Sequence, residues 1–173
     1  MNNSGRTATR GALALVPDVP REERPTVWFC GHCGTRPASA GPPALDARVC
    51  ASCGLGLLLE TGAEAAPEAG GAFLVLDRSL AVCAVSRGAE KLLATTETDA
   101  VHHHVTELLV PADSESQSGA NLAAAVSFAA QGGDEPLAVF VRPANLFGVR
   151  MRARIVPCGP PQAALLAFDP QGT

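Results

Sequence analysis

Two Cys-x-x-Cys pairs, each followed by glycine, dictate what the first third of this chain can become. The first reads Cys30-Gly31-His32-Cys33-Gly34 and the second Cys50-Ala51-Ser52-Cys53-Gly54, with sixteen residues between them. Two residues between cysteines allow a tight turn that aims both thiolates at one point, and a following glycine takes the backbone angles that bring its N–H toward a sulfur. Two such turns facing one another complete a tetrahedron, the ligand set of a structural zinc ion held by Cys30, Cys33, Cys50 and Cys53. Such a cage is closed. All four positions are taken by protein, so it holds a fold together and leaves no place for a substrate.

The same spacing admits two other outcomes. Four cysteines can pair as disulfides, although turns of this kind point their sulfurs at a common centre. The stronger rival is iron: Trp28 and Phe29 before the first pair, with glycine after each pair, resemble rubredoxin-type knuckles, in which the same thiolates hold a redox-active metal. The loop between the pairs carries no aromatic residue to shield an electron-transfer iron, which favours zinc. His32, inside the first turn, is expected to be a solvent-facing spacer and not a ligand.

A chain of 173 residues has room for one ordinary domain beside such a module. Residues 1–25 mix Asn, Ser, Thr, Arg, Gly and Pro without sustained periodicity and read as a disordered tail, in which Ala12 to Val16 is at most a short docking strand. Residues 26–60 form the zinc ribbon. Val27-Trp28-Phe29 leads into the first knuckle, Arg48-Val49 into the second, and Leu55 to Glu60 leaves it; Leu57, Leu58 and Leu59 offer more apolar surface than a free ribbon needs. Residues 61–70, small, acidic and broken by Pro67, read as a linker, and residues 71–170 as a second domain.

Charge and composition narrow the function classes. Arg36 and Arg48 are balanced by Asp46 and Glu60 within the ribbon, and the net charge of the chain is −4. Nucleic-acid readers lean on clustered Lys and Arg, so no nucleic-acid partner is expected. There is no tyrosine and one tryptophan, which leaves little for base stacking. No apolar run is long enough for a signal core or a membrane span, which places the chain in the cytoplasm, where cysteines serve as metal ligands. Cys83 and Cys158, left over, are expected to be buried or partly buried thiols.

The second domain alternates short strands with a helical middle. Ala72 to Leu76 is a near-continuous apolar strand, Asp77-Arg78-Ser79 a turn, and Leu80 to Val85 the return strand. Ser86 is placed as the N-cap of a helix over Arg87 to Ala94; a further helical stretch spans Val101 to Val110, and Asn121 to Gln131 makes an alanine-rich helix stopped by Gly132-Gly133. Strands are expected over Leu137–Val141, Gly148–Val156 and Ala163–Phe168. In the second of these, Arg150, Arg152 and Arg154 alternate with Val149, Met151, Ala153 and Ile155, so one face packs and the other is a row of arginines.

This order of elements resembles that of the PAS family. Phe73-Leu74-Val75-Leu76-Asp77-Arg78 is similar to the family's opening strand. Val85 to Leu93 resembles the segment that follows the hairpin, and Glu107-Leu108-Leu109-Val110-Pro111-Ala112-Asp113 resembles the family's turn before the long helix. Ala94 and His104 stand where the family usually has glycine. The resemblance implies an α+β fold: a PAS-like five-stranded antiparallel sheet with helices on one face, preceded here by the small ribbon. It also implies a sensory or interaction module that often dimerises through this domain. The long helix carries no histidine for haem, and no flavin-photoreceptor motif precedes it. The resemblance therefore implies no cofactor in the second domain, with its interior filled by Phe73, Leu76, Val85, Leu92, Leu108, Val126, Phe140, Met151, Ile155 and Leu166.

His102-His103-His104 point in different directions on any helix and are read as an exposed helix start. No nucleophile, base and orienting group occur in a catalytic context, so the chain is not expected to be an enzyme. The expected function is regulatory: a cytoplasmic protein of signal transduction or transcription regulation acting through contacts with a protein partner, or with a second copy of itself. The alternatives are a redox protein with iron at the four cysteines and a ribbon-mediated nucleic-acid-associated factor.

Overall fold

In a computed structural model the described residues are 24–39, 41–112 and 121–169. The predicted tail, apart from Arg24 and Pro25, and the turn from Asp113 onward lie outside them. Among the described residues eight strands form one antiparallel sheet, where the sequence predicts five. The added strands are β1 (Thr26–Cys30) and β2 (Leu58–Gly62) of the ribbon and the short β5 (Leu109–Pro111). The other five are β3 (Phe73–Leu76), β4 (Val82–Val85), β6 (Leu137–Pro143), β7 (Met151–Gly159) and β8 (Ala163–Phe168).

The extension has a simple cause in the length of β7. Its first half, Met151 to Ile155, pairs with β6, and its last two residues, Cys158 and Gly159, pair with Thr61 and Glu60 of β2. The ribbon thus takes over the edge of β7 where β6 has ended. Thr61 and Gly62, placed by the sequence in a linker, finish β2. The Thr61 hydroxyl also donates to the Pro157 carbonyl at 2.8 Å.

Four helices lie on one face of the sheet: α1 (Arg87–Leu93), α2 (Glu97–Ala100), α3 (Val105–Leu108) and α4 (Leu122–Ala130). Ser86 caps α1 as its sequence position predicts, accepting from the Ala89 N–H at 3.1 Å, and Asn121 caps α4 by accepting from Ala123. Ala94 ends α1 with φ 50°, a left-handed conformation that glycine adopts more readily than alanine. The stretch predicted as helix from Val101 to Val110 divides into α3 and β5.

Two apolar cores follow from the alternation of side chains across the sheet. Leu74, Leu76, Met151, Ala153, Ile155, Leu166 and Phe168 face the helices and meet Val126 and Ala129 of α4. Phe73, Val75, Val156, Cys158, Leu165 and Ala167 face the other way, onto Phe29, Leu59 and Ala65 of the ribbon segment. Every residue of β3 and β8 is therefore buried. This corrects two interior assignments. Phe73 belongs to the outer core, where its ring meets Phe29 edge-on with centroids 5.7 Å apart. Phe140 also faces outward, under the Arg150 guanidinium at 3.8 Å.

The arginine row is balanced within the sheet. Arg154 Nε donates to Asp169 Oδ1 at 3.0 Å, and Arg152 Nη1 lies 3.3 Å from Asp169 Oδ2. The three histidines are exposed as expected, but only the last begins a helix: His102, at φ 70°, and His103 lie in the turn before α3. His104 is its N-cap, and Glu107 closes a capping box while its other oxygen meets His103 Nδ1 at 2.9 Å. No helix among the described residues is long and apolar enough to cross a membrane.

Candidate metal centre

The four cysteines converge because the ribbon is a hairpin with both knuckles at the same end of its strand pair, where Cys30 ends β1 opposite Leu58, the first residue of β2. β1 delivers Cys30 directly, and Phe29 and Cys30 pair with Leu59 and Leu58 of β2. The second knuckle is fixed to this hairpin by the Val49–Leu57 bridge and by Cys50 N–H donating to Gly56 O at 2.8 Å. As a result the Sγ atoms all lie within 4.8 Å of one another, with Cys30 3.6 Å from Cys53 and Cys33 3.8 Å from Cys50. Four sulfurs about 2.3 Å from one centre stand about 3.8 Å apart, so the residues fit a tetrahedral thiolate-bound metal. All six cysteines are free thiols, which sets disulfides aside.

Gly34 and Gly54 adopt φ of 73° and 69°, the left-handed backbone that the spacing calls for. Their N–H groups go elsewhere than predicted. Each donates to the carbonyl of the first cysteine of its pair, at 2.9 and 2.8 Å, while Cys30 Sγ accepts from the N–H groups of His32 and Cys33 at 3.4 Å each. Trp28, Leu58 and the cysteines themselves form a small apolar cluster around the sulfurs. Gly56 closes the cage from the side. A Cβ there would stand 2.4 Å from Cys30 Sγ and 2.8 Å from His32 N, so no side chain fits.

The metal-free thiols differ in proton affinity. Burial pushes Cys30 up to about 12, against N–H bonds from Cys33 and His32. Burial also acts on Cys53, but the N–H groups of Gly56 and Leu55 and the neighbouring thiols outweigh it and bring Cys53 down to about 6. At neutral pH the empty site therefore keeps the Cys30 proton, which binding must expel. Because that group titrates far above neutrality, metal affinity is expected to rise with pH across the neutral range, by up to about tenfold per unit for each proton released. Calorimetry in buffers of different ionisation enthalpy should show at least one proton released at pH 7, and zero release would contradict this ordering.

His32 departs from its expected role. It is buried, 6% exposed, because the ribbon folds back onto the helical layer. Arg87 of α1 donates Nε–H to His32 Nε2 at 3.2 Å, which leaves the proton of the neutral ring on Nδ1. Nδ1 lies 3.2 Å from Glu97 Oε2, an approach without hydrogen-bond alignment. The other Glu97 oxygen accepts from the N–H of Val85 on edge strand β4 at 3.2 Å. One histidine thus ties the first knuckle to α1, α2 and the sheet edge. His32→Ala is expected to leave these partners unmatched and to cost about 1–3 kcal/mol in denaturant melts, with metal stoichiometry unchanged.

Of the remaining candidates, Cys158 is buried in the outer core, and burial pushes its thiol up to about 12. Cys83 is exposed, which corrects its expected burial. Arg48 stacks 5.6 Å from the Trp28 ring centroid and donates to the carbonyls of Leu58 and Pro160, bridging the ribbon to the turn after β7. Sequence reasoning missed His32, Arg87, Glu97 and Gly56, since all act through contacts between distant segments. Only the glycine left a local signal, as a small residue breaking the run Leu55 to Leu59.

No protein-family model matches the chain, and no curated protein does. Among solved structures it is similar to the PAS domain of nitrogen regulation protein NR(II) from Vibrio parahaemolyticus. That comparison has 15% identity and a TM-score of 0.43, and covers 59% of this chain and 90% of that one. What defines the class of this molecule is its own architecture: an α+β antiparallel sheet with helices on one face and a four-cysteine centre built onto its edge.

Proposed function

We propose that this chain is a regulatory or sensory protein that acts through contact with another protein, and that its four thiolates hold zinc in a structural role. The observation that carries this reading is the position of the ribbon. Its hairpin continues the sheet, and Phe29 and Leu59 seal the sheet's outer face. Metal occupancy then governs whether an apolar surface is covered, which is what a regulatory module can report. His32 Nε2 accepts from Arg87 and Nδ1 faces Glu97, so neither ring nitrogen turns toward the sulfurs, and four thiolates fill the tetrahedron with no open position for chemistry. Arg48 is spent on Trp28 and on backbone carbonyls, which speaks against phosphate contact by the ribbon.

Two measurements test the proposal. Anaerobically purified full-length protein should be colourless with one equivalent of zinc, and a thiolate-to-iron band in the visible would replace the structural zinc with a redox iron. Affinity capture should then recover a partner with the metal-replete chain that is lost with Cys50→Ser/Cys53→Ser. An identical catch for both, or none with the wild type, would sink the contact-based role.

A further inference from the structure

Two surface features of the molecule match one another. The first is a cleft of about 480 Å³ between the second knuckle and the outer face of β3 and β4. Its walls are apolar: Leu55 and Leu57 come from the ribbon, 66% and 54% exposed, and Val75 and Ala84 from the sheet. Asp77 and Glu97 line it, and no lysine or arginine does. The volume falls within the range, about 300–1,000 Å³, in which proteins enclose small ligands.

The second feature is the turn between β6 and β7. Leu146 and Phe147 stand 44% and 85% exposed there. The turn is shaped from beneath by Arg142, whose guanidinium lies 5.0 Å from the Phe147 ring centroid and donates Nη1 to the carbonyls of Leu146 and Pro143 at 3.2 and 3.4 Å. Leu146 N–H closes the turn onto Pro143 O at 3.2 Å, and Gly148 reverses the chain at φ 76°. Arg142 flanks the turn, and no carboxylate occurs between it and Gly148. An exposed aromatic on a preformed basic turn is the kind of group that anchors a contact, because little ordering remains to be done on binding.

We propose that the Leu146–Phe147 turn of one copy of this chain inserts into the ribbon–sheet cleft of a second copy. Apolar surface meets apolar surface, and the arginine-flanked turn meets a cleft whose only charged lining is acidic. The turn cannot fill the cleft of its own copy. It precedes Met151, while the cleft abuts the segment after Gly159, so the length of β7, about 25–30 Å, separates them. Two different patches are involved, so each contact leaves a free turn and a free cleft, and association proceeds head to tail beyond the dimer.

Sedimentation over the micromolar to submillimolar range tests this on the full-length chain. The weight-average mass of the wild type should climb with concentration past that of a dimer. Phe147→Asp should stay monomeric, as should Leu57→Asp; Gln162→Arg, on the exposed loop lining the cleft, is an independent cleft variant with the same expectation. An equimolar mixture of Phe147→Asp and Leu57→Asp has one good turn and one good cleft, and it should reach the dimer mass and stop there. A wild type that stays monomeric overturns the proposal. So do variants that associate like the wild type, or a monomeric mixture beside an associating wild type. Metal content measured on the same samples keeps the readings apart: missing metal counts against the four-thiolate centre, and a monomeric wild type counts against this contact.

Discussion

Cys53→Ser is expected to empty the metal site and, with it, to uncover the sheet on the side away from the helices. The ribbon's own apolar cluster is small, comprising Trp28, Leu58 and the cysteines, so on the proposed reading a bound metal supplies most of what orders the two knuckles. Without it β1 and β2 keep the pairing of Glu60 and Thr61 with β7, the Thr61–Pro157 hydrogen bond and the contacts of Phe29 and Leu59, none of which fixes the two knuckles to one another. Phe73, Val75 and Leu165, all 3% exposed or less, would then face solvent. A loss of about 4 kcal/mol lowers Tm by roughly 10–15 °C in a chain of this size. Metal analysis should fall from one equivalent to none, and binding of a hydrophobic dye should rise. An unchanged Tm in a metal-free variant would mean that the ribbon contributes nothing to the domain it covers.

Phe29→Ala probes the same interface from the other side and separates metal binding from packing. Phe29 is fully buried and meets Phe73 in an edge-to-face contact, so truncation removes its burial, leaves a cavity and loses an aromatic pair. The expected cost is about 3–5 kcal/mol in chemical denaturation. The side chain points away from the sulfurs, into the outer core rather than the cluster around the cysteines. Metal stoichiometry should therefore stay at one while stability drops. A variant that loses its metal as well would place Phe29 in the architecture of the cage.

The part of this design that is local in sequence is legible there. Cysteine spacing picks out the four residues whose sulfurs cluster, and the knuckle glycines follow from the backbone they must adopt. Ser86 and Asn121 mark helix starts because a short polar side chain at that position satisfies an otherwise free N–H. The bounds of β8 are read correctly from its unbroken apolar run. That same run held the clue to the ribbon's docking: Ala163 to Phe168 and Phe73 to Leu76 do not alternate, and a strand apolar on both faces must be covered on both faces. Reading Phe73 as interior to one core overlooked the second. His32 was legible only as the spacer of a knuckle, because its partners Arg87 and Glu97 are brought to it by the ribbon folding across the domain, which no local pattern encodes.

The central claim is that metal centre and sheet form one folding unit. Hydrogen exchange on the full-length chain, metal-replete and after chelation, tests it most directly. Removing the metal should release protection in β1 and β2, in the end of β7 around Cys158, and in β3 and β8 beneath the ribbon, together with the Val85 amide held by Glu97. Loss confined to residues 26–62, with β3, β7 and β8 as protected as before, would show two independent bodies and contradict the account.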